Sequence, residues 1–211
     1  MSSSTGQGTR ERWIVTAERL FAERGISEVS LREVGLVAGQ RNTSAAQYHF
    51  GDKETLVNAI LDHRMSGINE HRLRLLAEQE NEARTELRDL LTAFIVPLAS
   101  SADETDSHHG RFLAQYFSQP APLTSWDWEV ASSLRSVRTG IRRCLGELPE
   151  AVLHRRMRML VHLVLHTIAD HEHIDPLTDP HRPAHWTIDL IDAAHGMLTA
   201  PITPSEASRN R

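Results

Sequence analysis

One cysteine, Cys144, and one lysine, Lys53, occur among the 211 residues. A single thiol excludes an intramolecular disulfide and a cysteine-built zinc site. Long apolar runs are also missing. The longest, around 159–169, is broken by His162 and His166, so no transmembrane helix is expected. The opening MSSSTGQGTR has no apolar core of the kind a signal peptide needs, and the expected location is the cytoplasm. No stretch alternates apolar and polar residues as a half-buried strand does, and no segment repeats. The absence of a Gly-rich phosphate loop, a nucleophile elbow and a His-Glu-x-x-His pair argues against an enzyme. No cofactor is implied.

What is present is ordinary in bulk: 40% apolar and 24% charged residues, as in a globular chain. The net charge of −5 at first argues against nucleic acid, but its distribution matters. Residues 1–55 hold seven basic and seven acidic side chains, whereas 56–211 hold sixteen and twenty-one. The acidity therefore belongs to the C-terminal part, and a neutral N-terminal domain can bind DNA if its basic groups share a face.

Helical spacing organises the chain into about nine helices. Residues 1–8 are small and polar and are expected to be disordered. A helix over 10–24 buries Trp13, Ile14, Ala17, Leu20 and Phe21 and ends at Gly25. Ser30 and Glu33 form a capping box that opens a second helix, with Leu31, Val34 and Val37 inward. Gly39 ends it, and a short third helix covers about 42–48. Asp52 caps a long fourth helix over 53–80. Further helices are expected over 85–98 with Pro97 near the end, 111–118, 125–145, 150–173 and 184–198. The reading is all-α, with a disordered 1–8, a helix-turn-helix DNA-binding domain over 9–55, a ligand-binding and dimerisation domain over 56–200, and a flexible tail over 201–211.

A recognition helix needs small residues where it crosses its support, and polar groups where it meets DNA. Ala45 and Ala46 meet the first need. Arg41, Asn42, Thr43, Ser44 and Gln47 meet the second, since Arg, Asn and Gln make bidentate base contacts. Tyr48, His49, Lys53 and Ser30 are placed to brace phosphates. A generic three-helix core with a polar surface helix would show the same periodicity. The stretch LREVGLVAGQRNTSAAQYHFGDKETL, however, is similar to the N-terminal domain of the tetracycline-repressor (TetR) family of bacterial transcription factors. The resemblance spans about 11–60 and also includes the ending LFAERG of the first helix. One departure is an extra residue between Gly39 and Phe50, in the turn at 40–43. The resemblance implies a homodimer on a double-stranded, pseudo-palindromic DNA operator, usually as a repressor. It also implies dimerisation through the last two helices and a pocket for a small-molecule effector. Effector binding would spread the recognition helices out of successive major grooves about 34 Å apart.

In the C-terminal half, 150–173 is apolar nearly all round except for a seam of His162, His166, Asp170 and His173. Three readings of the seam stand open: hydrogen bonding across a dimer axis, a polar anchor in the pocket, or a metal site, because His at i and i+4 with Asp at i+8 is ligand spacing. Dimer contacts are expected from Leu160, Val164, Trp186, Leu190, Ala194 and Met197. Pocket candidates are Phe94, Phe112, Tyr116, Phe117, Trp126, Met157, His162 and His166, a lining that suits a mostly apolar effector.

Overall fold

The computed structural model describes residues 3–39, 50–80, 86–102, 107–118, 132–173 and 185–203. Within them the chain forms eight helices and no strand. They are α1 (Ser3–Arg24), α2 (Leu31–Val37), α3 (Lys53–Glu80), α4 (Leu87–Ala102), α5 (His109–Phe117), α6 (Ser132–Cys144), α7 (Glu150–His173) and α8 (Trp186–Thr199). None of the described helices is long and apolar enough to cross a membrane. The expected third helix over 42–48 and the start of the expected 125–145 helix lie outside the described residues.

Local chemistry explains most of the boundaries. Gly25 ends α1 at φ 91°, a backbone region that costs glycine little. The helix extends back to Ser3, through the stretch expected to be disordered. Ser30 caps α2 by accepting from Glu33 N at 3.2 Å. The reciprocal half of the expected capping box is replaced, because the Glu33 carboxylate pairs with Arg24 instead. Of the three apolar positions expected inward on α2, Val34 is fully buried and Leu31 packs against the core, but Val37 is exposed. The buried positions beside Val34 are Gly35 and Ala38, which are small because α2 presses close to α1. Asp52 opens α3 by accepting from Thr55 N at 2.8 Å, and α3 then runs 28 residues, roughly 42 Å. The expected boundary between two domains therefore falls inside one continuous helix.

Proline at position 97 was expected near a helix end, yet α4 continues to Ala102. Proline has no N–H to give the carbonyl four residues back, here that of Ala93. Arg72 Nε of α3 donates to that oxygen at 3.1 Å, so the break is repaired from a neighbouring helix. At the other end of the bundle Arg156 of α7 donates to the carbonyls of Leu198 and Ala200 at 2.6 and 2.5 Å, which closes the C-terminus of α8.

The helices share one apolar core, from Trp13 in α1 to Leu198 in α8. Embedded in it is a polar node. Glu18 of α1 is 1% exposed. Its carboxylate accepts from Arg64 Nε and Nη2 of α3 at 2.8–3.1 Å, and His109 Nδ1 of α5 approaches to 3.5 Å. Beside it, His108 Nε2 lies 3.9 Å from Glu23. Helix α5 is also gripped from α7. The Glu172 carboxylate accepts from Gly110 N at 2.7 Å, Arg111 N at 2.9 Å and Ser107 Oγ at 2.9 Å, so a negative charge sits on the helix N-terminus. A Cβ at Gly110 would lie 2.7 Å from Ile168 Cγ2, so glycine there is what lets α5 sit against α7. The N-terminal end of α5 thus joins the first helix of the chain to the seventh.

Burial alone would raise the pKa of Glu18, but the His109 contact and the Arg64 fork outweigh it and hold the carboxyl below its ordinary value of 4.5. A lowered native pKa stabilises the fold above the unfolded value, and that stability is lost as pH falls through the native one. The melting midpoint should fall as pH drops below 4.5, and less so in Glu18→Gln. At neutral pH the same change should cost about 3 kcal/mol, because it leaves the partly buried Arg64 charge without its partner. Gly35→Ala tests the α1–α2 contact. Helix propensity alone predicts a gain of about 1 kcal/mol. The new Cβ would stand 2.8 Å from the buried Trp13 ring, and overpacking costs about 1–3 kcal/mol. Urea unfolding should show a net loss.

Candidate nucleic-acid interface and effector cleft

The frame of a DNA reader is in place. Phe50 packs in the core with its ring centroid 6.0 Å from that of Trp13, and the Arg10 guanidinium lies 5.4 Å above its face. Gly51 turns the chain at φ 69°. Lys53, the first residue of α3, donates to Ile26 O at 2.8 Å and Ser27 O at 3.2 Å. Its ammonium therefore ties the loop after α1 to the start of α3. Ser30 stands at the N-terminus of α2, where unpaired N–H groups favour anions. The expected base and phosphate contacts Arg41, Asn42, Thr43, Ser44, Gln47, Tyr48 and His49 lie outside the described residues, as does the pocket candidate Trp126.

The expected dimer contacts need correction. Leu160, Val164, Trp186, Leu190 and Ala194 are all buried inside a single copy of the chain, so they have no surface to offer a partner. Met197 is partly buried against the same core. The apolar stripe chosen on each helix is the one that packs α7 and α8 onto the rest of the protein. The faces left outward carry Met159, 54% exposed, and Ile188, 48% exposed, with His162, His166 and His195 beside them. The His162 and His166 rings stack at 6.0 Å and 12°, so the histidine seam lies on this outer face. Among the described residues no three His, Cys, Asp or Glu side chains are grouped to hold a metal ion.

The pocket candidates also fall elsewhere than expected. Phe94 and Phe112 are core residues. The Phe112 ring stacks between Phe21 at 6.5 Å and Tyr116 at 6.4 Å, and Tyr116 meets Phe117 edge-on at 5.2 Å. This aromatic row fastens α5 to α1. Met157 is half-buried and His166 exposed. None of these residues lines the cleft of about 780 Å³ that opens between α3, α4 and α6. Its walls are apolar on the α3 side, with Leu73, Leu76 and Ala77, and polar on the α6 side, with Ser132, Arg135, Ser136, Thr139 and Arg143.

A second polar group sits in the core between those same helices. Arg72 Nη1 donates to Asn69 Oδ1 at 3.0 Å and Ser133 Oγ at 3.1 Å, and Ser133 Oγ donates to Asn69 Oδ1 at 2.6 Å. All three residues are buried. Sequence reading missed them, although an arginine at helical spacing with apolar neighbours is a sign of a buried partner.

Comparison with known proteins gives this geometry its context. Residues 14–60 match the family described as "Bacterial regulatory proteins, tetR family". Residues 92–200 match "Tetracyclin repressor-like, C-terminal domain". The HTH-type transcriptional regulator AcrR of Shigella flexneri is 34% identical over 85 residues, which is 40% of this chain and 39% of that protein. The chain thus matches well under two thirds of that relative's length. In fold it is similar to the crystal structure of Mycobacterium smegmatis AmtR, with a TM-score of 0.54 and 20% identity over 92% of this chain and 87% of that one. With both regions matched, and the second alone spanning more than half of the sequence, the chain belongs to the TetR family of bacterial transcriptional regulators.

Proposed function

We propose that the protein is a ligand-responsive repressor that binds a pseudo-palindromic operator as a homodimer and is released by a small, mostly apolar effector. The observation that carries this reading is the double grip on α5. The helix is held to α1 through Glu18 and to α7 through Glu172. A shift of the C-terminal helices therefore has a rigid route to the reader. By linkage, operator and effector weaken each other's binding by the same factor.

On the DNA side, Arg41, Asn42, Thr43, Ser44 and Gln47 supply base and backbone contacts, and Tyr48 and His49 brace phosphates. Ser30 accepts from Glu33 N and keeps its hydroxyl proton for a phosphate oxygen. Lys53 spends two N–H groups on carbonyls, which leaves one of three. On the dimer side, the outward faces of α7 and α8 meet their copies around a two-fold axis, with Met159 and Ile188 as the apolar contacts, Met197 at the edge, and His162 and His166 paired across it. Four helices then form the interface.

Two experiments test the reading. DNA upstream of the protein's own gene should be retained specifically and with strong salt dependence. The double change Tyr48→Ala, Lys53→Ala should weaken binding to all sequences and flatten that dependence, while Gln47→Ala should relax the preference at particular bases. Binding of that DNA no tighter than random sequence would sink the repressor reading. Separately, Met159→Arg with Ile188→Asp should convert a dimer to a monomer by light scattering, with helix content unchanged. A dimer that survives both charges places the interface on another face.

A further inference from the structure

Arg72 is an unusual residue to find at the centre of a helical bundle. It is fully buried, and all of its hydrogen bonds go to neutral acceptors: the Ala93 carbonyl, the Asn69 amide oxygen and the Ser133 hydroxyl. Its Nη2 has no hydrogen-bond partner at all. No carboxylate among the described residues forms an ion pair with it; burial is the cause of its altered basicity, which is pushed down to about 10. At neutral pH the group therefore still carries its charge. The proline break in α4 accounts for the Nε bond and for no more than that. A lone hydrogen bond to a carbonyl does not require a cation, and a buried charge without a counter-charge is strongly unfavourable. A guanidinium with an open N–H edge is, by contrast, the group best suited to an oxyanion.

The cleft between α3, α4 and α6 is where such an anion would enter. The helices that hold Arg72 are the ones that frame it. Asn69, Arg72, Leu73 and Leu76 recur at helical spacing on one side of α3, and Leu73 and Leu76 line the cleft. On α6, Ser132 and Ser136 line it, and Ser133 binds Arg72. Asn69, Arg72 and Ser133 do not themselves line the cleft, and Arg72 Nη2 is closed off from solvent; the three are sequence neighbours of residues that do line it. Among the described residues no acidic side chain lines the cleft, and Arg143 stands opposite a leucine wall. Its size is that of a small-molecule site.

We infer that this cleft binds a small organic carboxylate with an apolar body, whose hydrocarbon lies against Leu73, Leu76 and Leu90 and whose carboxylate reaches Arg72 Nη2 once the side chains that cover the guanidinium shift aside. The inference rests on the reading of the C-terminal helices as an effector domain and names the chemical class of effector. It further assigns Asn69 and Ser133 as positioning residues that hold the guanidinium plane through Nη1.

The test uses the full-length protein and a carboxylate series from butyrate through octanoate to laurate, with octanamide as the neutral control. Titration calorimetry should show binding of at least one carboxylate, and octanamide should bind at least tenfold more weakly than octanoate. Arg72→Gln keeps an amide donor for Ala93 while removing the charge, and should abolish the preference for octanoate over octanamide. Ser136→Phe, at an exposed position of α6, fills the cleft without touching the core, and should block binding even if Arg72→Gln does not fold. The site is overturned if no member of the series binds, if octanamide binds as well as octanoate, or if Ser136→Phe leaves the affinity unchanged. Release of operator DNA by the bound carboxylate separates the two readings. Carboxylate binding that depends on Arg72 but leaves DNA affinity unchanged supports the site and overturns the effector role.

Discussion

Glu18 is the group on which the arrangement of this protein turns. A carboxylate almost cut off from water is tolerable only if donors replace its hydration shell. Arg64 supplies a two-point fork, and His109 adds a third approach. Those contacts, the Arg64 fork and the 3.5 Å approach of His109, come from two other helices, α3 and α5. One desolvated oxygen pair therefore fixes three elements at once. Helix α2 packs on α1, so its orientation is referred to this point. The aromatic row of Phe21, Phe112 and Tyr116 adds apolar area to the same junction, but only the charged contact is directional enough to set an angle.

Helix α3 carries the second consequence. It begins at Lys53 beside the reader, passes Arg64 at the Glu18 node, and reaches Asn69 and Arg72 about two turns later. On the proposed reading, this helix with a polar fixture at each station is the element that links the cleft to the reader. Lys53 is bonded to the loop after α1 rather than left loose, so the start of α3 is tied to the first helix's end.

Much of this was legible in the sequence. The 3.6-residue period of Trp13, Ile14, Ala17, Leu20 and Phe21 marked the first helix, and the glycines at 25, 39 and 51 marked its turns, because positive φ is costly for any other residue. The bounds of α3 and α7 coincide with those expected from caps and from Pro149. What could not be read was which of two apolar stripes faces inward. On α8 two stripes are apolar and on α7 apolar residues run nearly all round beside the histidine seam, and periodicity alone carries no information about the partner, so Leu160, Val164 and Leu190 were assigned to a surface when they fill the core. Polar residues inside a bundle are hidden for a related reason. Glu18, Arg72 and Glu172 each look like a solvent-facing charge until the helix that answers them is known, and those answers come from 46, 61 and 62 residues away. Only Pro97 gave a local hint, since a proline within a helix leaves a carbonyl that something must satisfy.

The separation between the two polar clusters has an evolutionary consequence. The Glu18 node and the Glu172 grip lie on α1, α3, α5 and α7, whereas the cleft lies on α3, α4 and α6. Only α3 belongs to both. On the proposed reading, substitutions on α4 or the outer turns of α6 reshape which molecule is recognised without disturbing the linkage that reports it. Duplicated copies of such a gene could drift toward new chemical signals while inheriting an intact output, with α3 as the one helix where a change of taste and a change of grip cannot be made independently.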